Sequence, residues 1–351
     1  MDEQMSHAVA DFRSDTVTRP TPAMRKAMAE ADVDDDVLGH DPTTLALEIE
    51  GARLTGKESA LFVPSGVMAN LIAVTTHTRP GEEVILEEWA HTSRFESGGI
   101  GSLAHVLTRT LRSNRGLMDA DEIARWISPG NEHTPRTGLV CVEQSHNFHG
   151  GAVVPLDGLW RIGDVAEERG VAVHMDGARL WNAVAATGIS GADYAACADT
   201  VSFCLSKGLC APVGSLLCGP AEFIARARFV RKRLGGGMRQ SGIIAAAGLV
   251  ALRDMRERLA EDHVRARRIA ERLASMGGFA VDLAAVQTNI VFVRLEKLDP
   301  ARVVEAAAKD GILLYATGPQ QIRFVTHHDV DDDDVARLLE FLERLSEGYR
   351  P

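Results

Sequence analysis

Hydrophobic residues along the chain fall into short, dense runs separated by longer segments with helical spacing. Residues 60–63, 84–86, 139–143, 171–175, 201–205 and 213–218 are compact runs rich in Val, Ile, Leu and Phe. Several are apolar at both alternating sets of positions, the pattern of strands covered on both faces. Between them, residues 157–170 place Leu159, Ile162, Val165 and Ala166 on one helical face and stop at Gly170. Residues 221–234 repeat the helical pattern. Strands alternating with helices predict βαβ units and a mostly parallel sheet. From 243 to about 276 the pattern is helical, long and charged on one side. Beyond it, runs at 279–281, 290–295, 312–314 and 322–325 alternate with helical segments at 300–310 and 330–347, which predicts a smaller α/β unit. The acidic cluster 331–334 reads as the first turn of the last helix, where the helix dipole favours carboxylates. The expected organisation is an N-terminal arm (1–25), a large domain (26–250) and a small C-terminal domain (251–351).

Composition narrows the function. The 351 residues carry 38 Lys and Arg against 49 Asp and Glu, a net charge of −11. That balance argues against nucleic acid, whose phosphates are held by excess Lys and Arg. The opening Met-Asp-Glu-Gln-Met-Ser-His-Ala is acidic and lacks the apolar core of a signal peptide. No apolar run approaches the ~18 residues of a membrane span. The five cysteines, Cys141, Cys197, Cys204, Cys210 and Cys218, form no CxxC pair and are odd in number. They read as buried free thiols of a cytoplasmic protein, and no metal site is expected.

Three stretches carry chemistry. In Ser206-Lys207-Gly208 a lysine directly follows a buried strand. Lysine is rarely buried unless paired or reactive, and a desolvated neutral amine attacks aldehydes. Taken alone, Lys207 reads more readily as a strand-end residue reaching solvent than as a reactive amine. In His174-Met175-Asp176-Gly177-Ala178-Arg179 an acid stands at the carboxyl end of a strand, where open α/β sheets bind ligands. In Pro64-Ser65-Gly66-Val67 a strand runs into a turn and then a helix, a geometry that aims N–H groups at an anion. Phosphate turn, ring acid and lysine, in that order, match the needs of pyridoxal phosphate. Its phosphate seeks N–H donors, its pyridine nitrogen a carboxylate and its aldehyde an amine.

The pattern resembles the low-specificity L-threonine aldolases of the β-eliminating lyase group, which are fold-type-I pyridoxal-phosphate enzymes. Six ordered segments carry the resemblance: Phe12-Arg13-Ser14-Asp15-Thr16-Val17, Leu61-Phe62-Val63-Pro64-Ser65-Gly66, His174 to Arg179, Phe203 to Ser215, Leu234-Gly235-Gly236-Gly237-Met238-Arg239 and Ile322-Arg323-Phe324-Val325. They span roughly residues 11 to 345. The resemblance implies a large, mostly parallel-sheet domain of the aspartate-aminotransferase type and a smaller C-terminal domain. It implies Lys207 as the Schiff-base lysine, Asp176 at the pyridinium nitrogen, and the Ser65, Gly66 and Val67 turn at the phosphate, with Arg239 assisting. His91 would stack on the cofactor ring. Ser14, Arg179 and Arg323 would clamp the substrate carboxylate, to which arginine's planar fork is suited. His133 would lie near the substrate hydroxyl, leaving His91, His133 or a water as the base.

The expected reaction is cleavage of threonine, allo-threonine or an aryl analogue to glycine and an aldehyde. The alternatives are another β-lyase, a racemase or an aminotransferase on the same scaffold, or a catalytically silent binding protein. The implied assembly is a homodimer or homotetramer. Some positions depart from the family pattern. Val67 replaces a threonine of the phosphate turn, and Leu38 and Phe95 stand where tyrosines are expected near the pocket. Gln144-Ser145-His146-Asn147 replaces an Asn-Thr-His-Asn stretch.

Overall fold

The computed structural model describes residues 9–347. The acidic opening of the chain, on which the signal-peptide reading rests, lies outside them. A seven-stranded sheet forms from β1 (Ser59–Val63), β2 (Glu83–Glu87), β3 (Leu107–Leu111), β4 (Thr137–Glu143), β5 (Ala172–Asp176), β6 (Thr200–Cys204) and β7 (Ser215–Gly219), in the spatial order β1-β7-β6-β5-β4-β2-β3. Only β7 runs against its neighbours; the remaining pairs are parallel. Every residue of β2, β4, β6 and β7 is buried, which explains why both alternating sets of positions in them are largely apolar. The sequence pattern passes over β3. Its Leu-Thr-Arg-Thr-Leu sits on the sheet edge with four of five positions at least partly exposed, so polar residues interrupt its hydrophobic signal. Residues 213 and 214 fall outside β7 because Gly214 takes φ +106°, where a Cβ would lie 2.5 Å from the Phe62 ring.

Helices cover the sheet. In α1 (Gly66–His77) the Ser65 hydroxyl caps the first turn by accepting the Met68 N–H at 3.2 Å. In α2 (Leu156–Glu168) Leu159, Ile162 and Ala166 face the core, and Gly170 follows at φ +64°. The long helical pattern after residue 242 is realised as Gly242–Val250, a π-helical turn at Ala251–Met255 and Leu259–Ala274. Along it the packing changes hands: Ala247 to Leu259 join the large core, whereas Ala266 to Leu273 join a second core.

That second core surrounds a four-stranded antiparallel sheet in which Ile290–Leu295 and Gln321–Val325 pair centrally, with Phe279–Ala280 and Tyr315–Gly318 at the edges. The last helix, Asp332–Glu347, starts as its acidic cluster predicts, with the Asp331 carboxylate accepting the Asp333 and Asp334 N–H groups at 3.0 and 2.9 Å. The N-terminal arm belongs to this unit. Ala10–Asp11 pairs in parallel with Ile312–Leu313, and Ala10 and Phe12 are fully buried in the second core.

The arm is therefore structural as well as connective. Phe12→Ala is expected to destabilise the holoenzyme by about 3–5 kcal/mol, the usual cost of emptying a buried phenylalanine site. A urea titration measures it, and an unchanged midpoint would mean that the arm is undocked in solution.

Candidate active site

The carboxyl ends of β1, β2, β4, β5 and β6 open on one side of the sheet, and the candidate residues gather there. Glu143, Asp176 and Ser202 lie side by side in register on β4, β5 and β6. Asp176 is almost fully buried. Its Oδ1 accepts the Ala178 N–H at 3.0 Å and its Oδ2 accepts an Asn70 side-chain N–H at 2.8 Å. Burial alone would raise the Asp176 pKa, but His91 and Lys207 outweigh it and hold the carboxyl below its usual range. A carboxylate has about four lone-pair sites, so acceptor capacity remains for a pyridinium N–H.

Asn70, from the sheet-facing side of α1, organises this end of the sheet. Its amide nitrogen donates to both Asp176 and Glu96, each at 2.8 Å. Its oxygen accepts from the Ser202 hydroxyl at 2.9 Å and contacts His174 Nε2 at 3.2 Å. Burial pushes His174 down to about 4, so it is neutral and donates. Sequence reasoning passed over Asn70, yet a signal existed: it is the one amide within the apolar run Ala69-Asn70-Leu71-Ile72-Ala73-Val74.

His91 begins just after β2. Its backbone N–H donates to Glu143 at 2.7 Å and its Nδ1 meets Glu96 at 3.0 Å. Its Nε2 has no partner among the described residues. Burial favours the neutral ring, but the Glu96 hydrogen bond and the Asp176 charge prevail and raise the His91 pKa. Burial, reinforced by Asp176, likewise raises Glu96. Phe95 stands next to His91 with ring centroids 5.9 Å apart. It stacks on Phe148 at 4.6 Å, and Phe148 stacks on Trp89 at 5.2 Å, giving an aromatic wall with half-exposed rings.

Lys207 follows β6 and is half-buried. Its carbonyl accepts the Thr18 hydroxyl at 2.8 Å, which docks the arm against it. Its amine makes no hydrogen bond or ion pair among the described residues, while its charge acts on Asp15, Asp176 and His91. At the phosphate turn, α1 leaves the Gly66 and Val67 N–H groups without acceptors among the described residues. A free amine, a buried ionised carboxylate and two open N–H groups at a helix start are the three features pyridoxal phosphate requires, so the residues present fit it.

The arginines divide unexpectedly. Arg179 gives its fork to Asp15, Nε to Oδ2 at 2.8 Å and Nη2 to Oδ1 at 2.7 Å, with both residues buried. Burial opposes ionisation of Asp15, but Arg179, Lys207 and Asn289 hold it well below the carboxylate range. Arg179 therefore has no free fork for a substrate carboxylate and keeps only Nη1, which donates to Asn147 at 3.1 Å. Arg323 differs. It donates to Asn147 at 3.4 Å and to the Arg13 carbonyl at 3.1 Å; among the described residues it forms no ion pair and its buried Nε has no partner. Burial, with Arg179 nearby, lowers its pKa. Ser14 lies beside that Arg13 carbonyl, its hydroxyl oxygen accepting from Thr16.

Other expectations are corrected. His133 is exposed in the loop before β4 and its N–H bonds Asn131. The seven residues from Thr137 to Glu143 span six steps of ~3.3 Å, about 20 Å, between it and the site, so one chain does not bring it there. Arg239 is exposed and pairs with Asp35 at 2.9 Å rather than with the Ser65 turn. Leu38 is exposed in a groove with Phe229 and Lys232, apart from Phe95. The sequence pointed to these three by likeness of motif, and a motif does not specify which loops one chain brings together.

Known proteins resemble the chain in sequence and in fold. The sequence profile described as beta-eliminating lyase matches residues 11–296. A probable low-specificity L-threonine aldolase 2 of Arabidopsis thaliana is 45% identical over 95% of this chain and 96% of its own. A low specificity L-threonine aldolase of Escherichia coli is 42% identical over 93% and 96%. Among solved structures, a Leishmania major threonine aldolase superposes with a TM-score of 0.85 at 21% identity, covering 96% of this chain and 99% of its own. A Sphingomonas wittichii serine palmitoyltransferase superposes at 0.76 and 18% identity, covering 97% and 88%. With the fold, the ordered motifs and these relatives in agreement, the chain belongs to the beta-eliminating lyase family.

Proposed function

We propose that this protein is a pyridoxal-phosphate-dependent aldolase. It cleaves a β-hydroxy-α-amino acid (threonine, allo-threonine or an aryl analogue) to glycine and an aldehyde. The observation that carries the reading is Arg323, a largely buried cation with no carboxylate partner among the described residues, on the side of the sheet that holds Asp176 and Lys207. An amino-acid carboxylate supplies the missing anion. The names of the aldolase relatives support the same reaction.

Pyridoxal phosphate, when bound, supplies the electron sink for the pair released as the Cα–Cβ bond breaks. Lys207 is the residue that carries it, the Ser65, Gly66 and Val67 turn holds its phosphate, and Asp176 keeps its ring nitrogen protonated. Arg323, steadied by Asn147 and the Arg13 carbonyl, orients the substrate carboxylate, and the Arg179–Asp15 pair backs it. His91 Nε2 takes the β-hydroxyl proton as the carbonyl of the aldehyde forms, and Glu96 steadies the resulting imidazolium through Nδ1. The aromatic wall of Trp89, Phe95 and Phe148 receives the β-substituent. The protein acts as a homodimer or homotetramer in the cytoplasm. Exposed Leu38 and Phe229 in one groove support the assembly, and five free, buried thiols support the reducing compartment.

Incubation with L-threonine, L-allo-threonine and phenylserine is expected to yield glycine and the matching aldehyde. Borohydride reduction of the holoenzyme followed by peptide mapping is expected to place the cofactor on Lys207. Label on another lysine sinks the assignment of Lys207, and absence of glycine sinks the aldolase reading.

Asp176→Asn is expected to lower kcat far more than cofactor occupancy. A charge pair at ~4 Å is worth about 4 kcal/mol at an effective dielectric near 20, or about a thousandfold in rate. Activity lost only in step with lost cofactor would reduce Asp176 to an anchor.

The acid limb of kcat/KM is expected above the ordinary histidine range, because His91 must be deprotonated to act and its pKa is raised. Glu96→Gln removes the hydrogen-bonded carboxylate that raises it, so the limb moves to lower pH. A limb that stays in place excludes His91 as the base.

A further inference from the structure

A second constellation lies outside the residues assigned to cofactor and substrate. Glu87 ends β2, and His146 and His149 lie three residues apart on the turn that follows β4. Glu87 Oε2 is 3.1 Å from His146 Nε2, and Glu87 Oε1 is 3.0 Å from His149 Nε2. The three ligand atoms all fall within 4.8 Å of one another. The Ser113 hydroxyl reaches Glu87 at 2.8 Å and His149 at 3.2 Å. Glu143 approaches His146 Nε2 at 3.9 Å.

Charge balance gives a second, independent argument. Glu87 and Glu143 are both buried, and neither forms an ion pair with a lysine or arginine among the described residues. Buried carboxylates are normally paired or coordinate a metal. Among the described residues the only basic side chains within ion-pair distance are the two imidazoles, whose nitrogens are themselves metal ligands. We propose that Glu87, His146 and His149 form a binding site for a divalent transition metal of the zinc class. Two imidazoles and one carboxylate are a zinc ligand set that leaves a fourth position open, with Ser113 beside it. His149 is one-quarter exposed and provides the path of entry. The site departs from the expectation, drawn from the cysteines and motifs, that the chain holds no metal. The short His146-Asn147-Phe148-His149 spacing offers two ligands, and the third, Glu87, comes from a distant segment that no spacing links to them.

The ion would fasten the turn Asn147–His149 to the end of β2. That turn carries Asn147, whose side-chain oxygen meets both Arg179 and Arg323. The metal is thus a positioning element for the arginine pair and takes no part in bond breaking.

The test uses full-length holoenzyme, free of any affinity tag and dialysed against EDTA. Calorimetric titration with ZnCl2 is expected to give one tight site per chain. Replacing Zn2+ with Co2+ is expected to give the visible bands of a four- or five-coordinate ion. His149→Ala and Glu87→Gln should each weaken binding beyond the roughly 10–100-fold that loss of an outer-shell partner costs. His133→Ala, an exposed histidine on the far side of the sheet, should leave it unchanged. No stoichiometric Zn2+ site in the wild-type protein overturns the proposal, as does a site that survives both Glu87→Gln and His149→Ala. Either outcome leaves Glu87 and the two histidines as a hydrogen-bonded network only.

Discussion

Keeping a carboxylate ionised inside the protein is the constraint from which the site's architecture follows. Asp176 lies at the buried end of a central strand, where an isolated charge is costly. Its compensation comes from four segments: the Ala178 N–H just past the strand, Asn70 on α1, His91 after β2, and Lys207 after β6. Each needs its own support. Asn70 spends both N–H groups, on Asp176 and Glu96, and its oxygen is taken by Ser202 and His174. That full occupation fixes the orientation of the amide, and with it the face of α1 that meets the sheet. Parallel strands suit this arrangement because they bring many carboxyl-terminal ends, and the loops that follow them, to one place.

The same logic governs the arginines. Arg179 is neutralised within the chain by Asp15, a residue of the N-terminal arm whose neighbours Ala10 and Phe12 are buried in the small core. Asn289, which precedes Ile290–Leu295 of the small sheet, also donates to Asp15 at 3.3 Å and bonds Asn182 at 2.9 Å. The arm, the large sheet and the small sheet are therefore joined through one buried ion pair. Such a pair contributes little net stability over apolar packing, but breaking it by removing one partner costs about 3–5 kcal/mol. Its value here is geometric. It holds the arm so that the Arg13 carbonyl accepts a hydrogen bond from Arg323, a cation with no carboxylate partner among the described residues.

Polar demand also explains the segment after β4. Glu143 accepts the His91 and Asn147 N–H groups at 2.7 and 2.8 Å, tying the start of the His91 turn to the turn that carries Asn147. The two glutamates at the ends of β2 and β4 and the two histidines beyond β4 form one buried polar patch beside the aromatic wall. The wall and the patch share the turn Asn147–His149, which gives Phe148 to one and His149 to the other.

The sequence by itself determined the alternation of buried strands and amphipathic helices, the second α/β unit, the strand-turn-helix at Ser65, and the places of Asp176 and Lys207 at strand ends. These are local properties: periodicity of two or 3.6, a turn between strand and helix, a polar residue where an apolar run stops. The edge strand Leu107–Leu111 escaped because half-exposed strands lose their hydrophobic signature. Only the tertiary structure decided which polar groups meet. Asn70 with Asp176, Asp15 with Arg179, Asn147 with both arginines, and Glu87 with His146 and His149 are separated by 32 to 176 positions in the chain. It also removed His133, Arg239 and Leu38 from the single-chain site. A motif specifies the residue type a loop offers. Which charge that residue finds depends on how the strands are ordered in the sheet, because buried polar groups are satisfied across the fold rather than along the chain.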